Sequence, residues 1–79
     1  MKATVYVRLK GEVLDPQGEA VRRALSTMGF SDVESVRIGK LIEIELDDED
    51  PAEAKARLER MADELLANPV IEDYEVVVG

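Results

Sequence analysis

The groups available for chemistry in this 79-residue chain are carboxylates, a few hydroxyls, lysines, arginines and two tyrosines. There is no histidine and no cysteine, which removes imidazole-based triads, thiol nucleophiles, zinc sites and a disulfide scaffold. Carboxylates abound, with 18 Asp and Glu against 10 Lys and Arg, but none sits where burial would raise its pKa for acid–base work. The run Asp47 to Asp50 lacks the shaping glycine and ligand spacing of a calcium loop and reads as solvated charge ahead of a helix. Ser26, Ser31 and Ser35 lack a base partner of the usual kind, and neither Gly-x-Gly-x-x-Gly nor a Walker loop is present. These residues point to a binding or assembly module rather than an enzyme acting alone.

A few positions invite a binding reading. Gly18 falls in the first turn of a helix, where glycine costs about 0.5–1 kcal/mol relative to alanine. Either a partner backbone or ligand approaches there closely, or it is a tolerated loop glycine. Lys10, Arg37 and Lys40 are among the few cations of a chain with net charge −8. They suit an acidic partner, or pair internally with Glu43 or Glu45. Gly39 and Lys40 interrupt a strand pattern, as a bulge, a turn tip or a binding site. An anion at the first helix end is disfavoured, because Asp15 already occupies the cap.

The elements that must position these residues are legible from periodicity. Ala3, Val5, Val7 and Leu9 alternate with Thr4, Tyr6, Arg8 and Lys10, the period of a strand. Asp15-Pro16 supplies an N-cap acceptor and a first-turn proline, and Ala20, Val21, Ala24, Leu25 and Met28 form the stripe of a helix. Gly29 ends it as a left-handed cap, with Phe30 placed to fold back as its hydrophobic contact. Val36, Ile38, Ile42, Ile44 and Leu46 then share parity, which fits a three-residue loop at Gly39-Lys40-Leu41 or one long strand bent at Gly39. Asp50-Pro51-Ala52-Glu53 opens a second helix whose stripe is Ala54, Leu58, Met61, Ala62, Leu65 and Leu66. Glu53 with Arg57 and Arg60 with Glu64 pair at i,i+4 on its outer side, and Asn68-Pro69 stops it. A last strand carries Val70, Tyr74, Val76 and Val78 on one face.

Residues 1–79 therefore form a single α+β domain, a two-layer sandwich with two helices on one face of a sheet containing antiparallel strands. With 46% hydrophobic residues, wholesale disorder is excluded. The uncovered sheet face carries Tyr6, Arg8, Arg37, Leu41, Glu43, Ile71, Glu75 and Val77, too apolar to be merely wet. A second subunit there, as a homodimer or tetramer, resolves that face. The acidic balance repels phosphate backbones and three aromatics make no base-stacking sheet, so nucleic acid is disfavoured. No apolar run reaches the length of a membrane span, and the expectation is a soluble intracellular protein.

An ordered series of motifs adds to this reading. Lys10-Gly11, Asp15-Pro16-Gln17-Gly18, Ala20-Val21, Ala24-Leu25, Gly29-Phe30, Val36-Arg37, Gly39-Lys40 and Asn68-Pro69-Val70-Ile71-Glu72-Asp73-Tyr74 run through nearly the whole chain. The series resembles the PurS family, small subunits of phosphoribosylformylglycinamidine synthase, with Glu12 before Val13 as a modest loop variation. The resemblance implies a cytoplasmic, non-catalytic assembly subunit of de novo purine biosynthesis, in which formylglycinamide ribonucleotide amide becomes an amidine with ammonia from glutamine. It implies a synthetase subunit that binds ATP and magnesium, a glutaminase subunit with a cysteine triad, and a small-subunit dimer that exchanges its second helix and last strand. This subunit itself is expected to hold no cofactor and no metal. The partner interface would use Lys10, Asp15, Gln17, Gly18, Arg37, Gly39, Lys40, Asn68, Glu72 and Tyr74. Two competing readings are a small-molecule-sensing regulatory α+β domain, which Asp15 argues against, and a small phosphatase, which lacks an anion cradle.

Overall fold

The structure, a computed structural model, describes residues 1–47 and 50–79. Its elements are β1 (Lys2–Leu9), α1 (Pro16–Thr27), β2 (Gly39–Glu45), α2 (Pro51–Met61) with a π-helical extension (Ala62–Leu66), and β3 (Glu72–Val78). The sheet order is β2-β1-β3, with both pairings antiparallel. In register, Val5 lies between Ile42 and Val76, and Val7 between Lys40 and Tyr74, so the apolar parities of all three strands meet on one face. On that face Val5 and Val7 form a buried cluster with Ala62 and Ala67, and Ala3, Ala54 and Leu58 are buried as well.

Both helix starts form as the local chemistry dictates. Asp15 accepts from the Gly18 N–H and Asp50 from the Ala52 N–H, each ahead of a first-turn proline. Gly29 has φ 101°, and the Phe30 and Gly29 N–H groups donate to the Leu25 and Ser26 carbonyls in a Schellman arrangement. Phe30 itself remains half exposed. Arg60 lies 3.5 Å from Glu64 on the outer side of the second helix. Asp48 and Glu49, in the middle of the acidic run, lie outside the described residues.

Three features depart from the sequence pattern. The middle region is one strand beginning at Gly39, neither a hairpin nor a longer strand from Val36. The preceding residues are drawn to the start of α1 instead: the Ile38 N–H donates to the Asp15 carboxylate, and the Val36 carbonyl lies against Gly18. Leu65, expected on the buried stripe, points outward at 83% exposure. The cause is the wide turn closed by the Ala67 N–H on the Ala62 carbonyl, which brings residues five apart into phase and buries the two alanines. Finally, α2 alone covers the sheet. Helix α1 makes almost no contact with the strands or with α2, and Ala20, Val21, Ala24 and Met28 on its stripe are exposed. The molecule is accordingly elongated, 49 × 24 × 14 Å, with a radius of gyration of 16.0 Å. A compact chain of this length has about 12 Å.

Candidate functional site

The connections into and out of α1 converge at the end of β1, and most of the expected interface residues are brought together there. The Lys10 N–H donates to the Ile71 carbonyl, while the Lys10 carbonyl accepts from Arg37 at 2.9 Å and from the Val13 N–H. Asp15, only 5% exposed, places one oxygen 2.9 Å from the Gly18 nitrogen and the other 2.7 Å from the Ile38 nitrogen. These two N–H donors, Ile38 first, hold the Asp15 carboxyl below the usual range, and the positive charge of Arg37 adds to the effect against the opposing influence of burial. The carboxylate is thus consumed by its own chain.

Gly18 is accounted for in the same way. A Cβ there would overlap the Val36 carbonyl oxygen, so the close approach comes from this chain's backbone rather than from a ligand. Gly39 is the first paired residue of β2, opposite Arg8, and is neither a bulge nor a turn tip. A Cβ at Gly39 would lie 2.6 Å from the Val7 carbonyl oxygen, which explains the residue type. Asn68 braces the turn before β3: its side chain accepts from the Val70 N–H, and its own N–H donates to the Glu72 carboxylate at 2.7 Å. Glu72 also faces Lys40 at 3.9 Å, linking that turn to β2. Tyr74 stands apart from the cluster, on the covered face, with its hydroxyl 3.4 Å from the Glu59 carbonyl.

What remains presented to solvent is Gln17, Arg37 and Lys40, together with Arg8, which the motif series did not single out. Arg8 shares the parity of Tyr6 on the open sheet face and lies 3.7 Å from Glu75. Its position opposite Gly39 in the register is the signal that joins it to the cluster. Two concavities flank this end of β1 and β2. One, of about 490 Å³, is bordered by Tyr6, Arg8, Arg37, Lys40 and Leu41, and the other, of about 420 Å³, by Arg8, Asp15, Gln17, Lys40 and Glu72. Four cations of an acidic chain, Arg8, Lys10, Arg37 and Lys40, therefore stand at one end of the sheet, where Glu72, Asp73 and Glu75 of β3 face them. A ligand-sensing reading needs the start of α1 free to receive an anion, and Asp15 already fills it.

A three-stranded antiparallel sheet, one covering helix, a second helix on an arm and a braced sheet end define a small α+β module. The chain belongs to the PurS family, described as phosphoribosylformylglycinamidine (FGAM) synthase, whose profile matches residues 2–79. It is 46% identical over 77 residues to the phosphoribosylformylglycinamidine synthase subunit PurS of Methanocaldococcus jannaschii, covering 98% of this chain and 93% of that one. The Bacillus subtilis subunit PurS is 47% identical over 77 residues, covering 98% and 90%. Among solved structures, M. jannaschii PurS, one of the subunits of formylglycinamide ribonucleotide amidotransferase in the purine biosynthetic pathway, superposes with a TM-score of 0.89 at 45% identity, covering 99% of this chain and 94% of that one. A chain of the structure of PurLQS from Thermotoga maritima gives a TM-score of 0.86 at 36% identity, covering 96% and 93%.

Proposed function

We propose that this chain is the assembly subunit that joins the synthetase and glutaminase subunits of phosphoribosylformylglycinamidine synthase in the cytoplasm. It contributes no catalytic group, and ATP and magnesium belong to the partner synthetase. The observation that carries the reading is the likeness, over nearly the full length of both chains, to a chain of PurLQS. The geometry supports it: Arg37 and Lys40 are held by the Lys10 carbonyl and Glu72 yet, with Gln17, remain exposed.

Self-association belongs to the same proposal. Among the described residues the buried apolar core consists of Val5, Val7, Leu58 and four alanines, a thin interior for a chain of this size. Meanwhile Val21 and Met28 on α1, and Tyr6, Leu41 and Val77 on the open sheet face, remain accessible. A second copy covering these surfaces completes the apolar layer, and exchange of the second helix and last strand between copies is one way to close such a dimer.

Purified chain mixed with synthetase and glutaminase is expected to co-elute with them and to be required for glutamine-dependent amidation. Alone it neither hydrolyses ATP nor releases ammonia from glutamine. Lys40→Glu, at an exposed position outside the Asp15–Gly18–Arg37 contacts, is expected to raise the concentration needed for stimulation with little change in melting temperature. Full amidation by the other two subunits in its absence, with no co-elution, would defeat the proposal.

A further inference from the structure

Helix α1 is attached to the rest of the molecule at one end only. Twelve residues of helix extend about 18 Å at the usual rise, yet the ties to the body gather at the first turn. Asp15 Oδ2 accepts from the Ile38 N–H, Gly18 is pressed against the Val36 carbonyl, and Arg37 donates to the Lys10 carbonyl. The incoming residues 10–15 and the outgoing residues 36–38 are thereby locked to each other and to the start of the helix. Within one chain, the helix takes its direction from this anchor.

We infer that Asp15, Gly18 and Arg37 form a clasp that sets the direction of the α1 arm relative to the sheet, and so fixes where the arm presents its apolar stripe. The inference goes beyond the assembly reading and does not rest on it, because every contact of the clasp lies within one chain. Asp15 is a positioning residue here. Its two oxygens serve two N–H donors in segments far apart in sequence, and both must be acceptors for the clasp to close. Gly18 admits the Val36 carbonyl only because it has no side chain. With β2 starting at Gly39, immediately after the clasp, the angle of the arm is referred directly to the sheet.

The absence of cysteine makes a distance measurement clean. Spin labels placed at Ser26→Cys on α1 and Glu43→Cys on β2, both exposed positions, report the angle of the arm. A large excess of unlabelled chain suppresses distances between copies. Asp15→Asn preserves the ability to cap the helix but replaces one acceptor with an NH₂ donor, so one of the two N–H groups loses its partner. Gly18→Ala forces the Val36 carbonyl away. The expected result is a single narrow distance in the otherwise unaltered chain and a shift or broadening of more than about 2 Å in both variants, with amide protection at Val5 and Val7 retained. Glu19→Gln, which breaks only the pairing with Arg22 and Arg23 along the helix, leaves the distance unchanged. A broad distance in the unaltered chain, an unchanged distance in either clasp variant, a shift in Glu19→Gln, or loss of protection in β1 would overturn the inference.

Discussion

The carboxylate of Asp15 ties Ile38 to the start of α1, accepting the Ile38 N–H at 2.7 Å on one oxygen while the other caps the helix at Gly18. A residue that ordinarily only begins a helix here also decides where the next strand starts. Both N–H groups favour the ionised carboxyl, and its pKa is lowered from the usual 3.8.

That depression predicts a particular pH dependence. A carboxyl with a folded-state pKa below its unfolded value contributes stability that is fully present above the unfolded value and is lost as pH falls through the folded one. Chemical denaturation of the unaltered chain and of Asp15→Asn should therefore show a constant stability difference at neutral pH. The difference should shrink as pH drops below 3.8. A difference that grows in acid would contradict the hydrogen-bond assignment.

The glycines separate by surroundings. Gly18→Ala pushes a methyl group into the Val36 carbonyl and is expected to cost about 1–3 kcal/mol, as overpacking does. Gly11 has open space around its Cβ direction and no left-handed φ, so Gly11→Ala should change stability by no more than about 1 kcal/mol, toward stabilisation. Urea unfolding of the two variants checks the contrast, and equal effects would remove the assigned role of Gly18.

The wide turn after α2 makes two leucines unequal. Leu58 is fully buried against the sheet layer, and Leu58→Ala should cost about 2–5 kcal/mol. Leu65, seven positions later and in phase for an uninterrupted α-helix, is exposed, and Leu65→Ala should stay within about 0.5 kcal/mol. Comparable losses from both substitutions would show that the helix continues without the π turn.

These contrasts also mark where the sequence was readable. Asp15-Pro16, Asp50-Pro51 and Gly29-Phe30 act on backbone groups within a few residues, so their outcome follows from local chemistry alone. Strand parity was equally plain, because Val5 between Ile42 and Val76 puts the alternating apolar residues of the three strands on one side. Val36 and Ile38 share that parity and were legible as strand. What removes them from the sheet is a contact with Asp15 and Gly18 that no local pattern contains. The stripe on α1 likewise announces burial without naming what buries it. At the candidate site, Lys10, Arg37 and Lys40 stood out as cations in an acidic chain, whereas Arg8 joins them only through the register with Gly39. The turn at Ala62–Leu66 is closed by the Ala67 N–H on the Ala62 carbonyl, five residues back, and Leu65 gave no sign of it.

Self-association is expected to depend on two separate surfaces. Val21 on α1 and Leu41 on the open sheet face are 38% and 57% exposed, both large for aliphatic side chains in a chain whose own core is mostly alanine, valine and one leucine. A carboxylate at either position would leave an unpaired charge in any interface that covers it, while in the isolated chain it would simply face water. Val21→Asp and Leu41→Asp should therefore leave the secondary structure intact and weaken the oligomer. Loss of a central apolar anchor costs about 2 kcal/mol or more, which corresponds to roughly a thirtyfold higher concentration for half-association. Light scattering across a dilution series measures this directly. Helix α1 and β2 make almost no contact with each other, so the effects of the two substitutions should add when combined. A double variant no weaker than one single variant would mean that one interface, and not two, holds the copies together. An unaltered chain that stays monomeric at every concentration would leave both surfaces for the larger subunits.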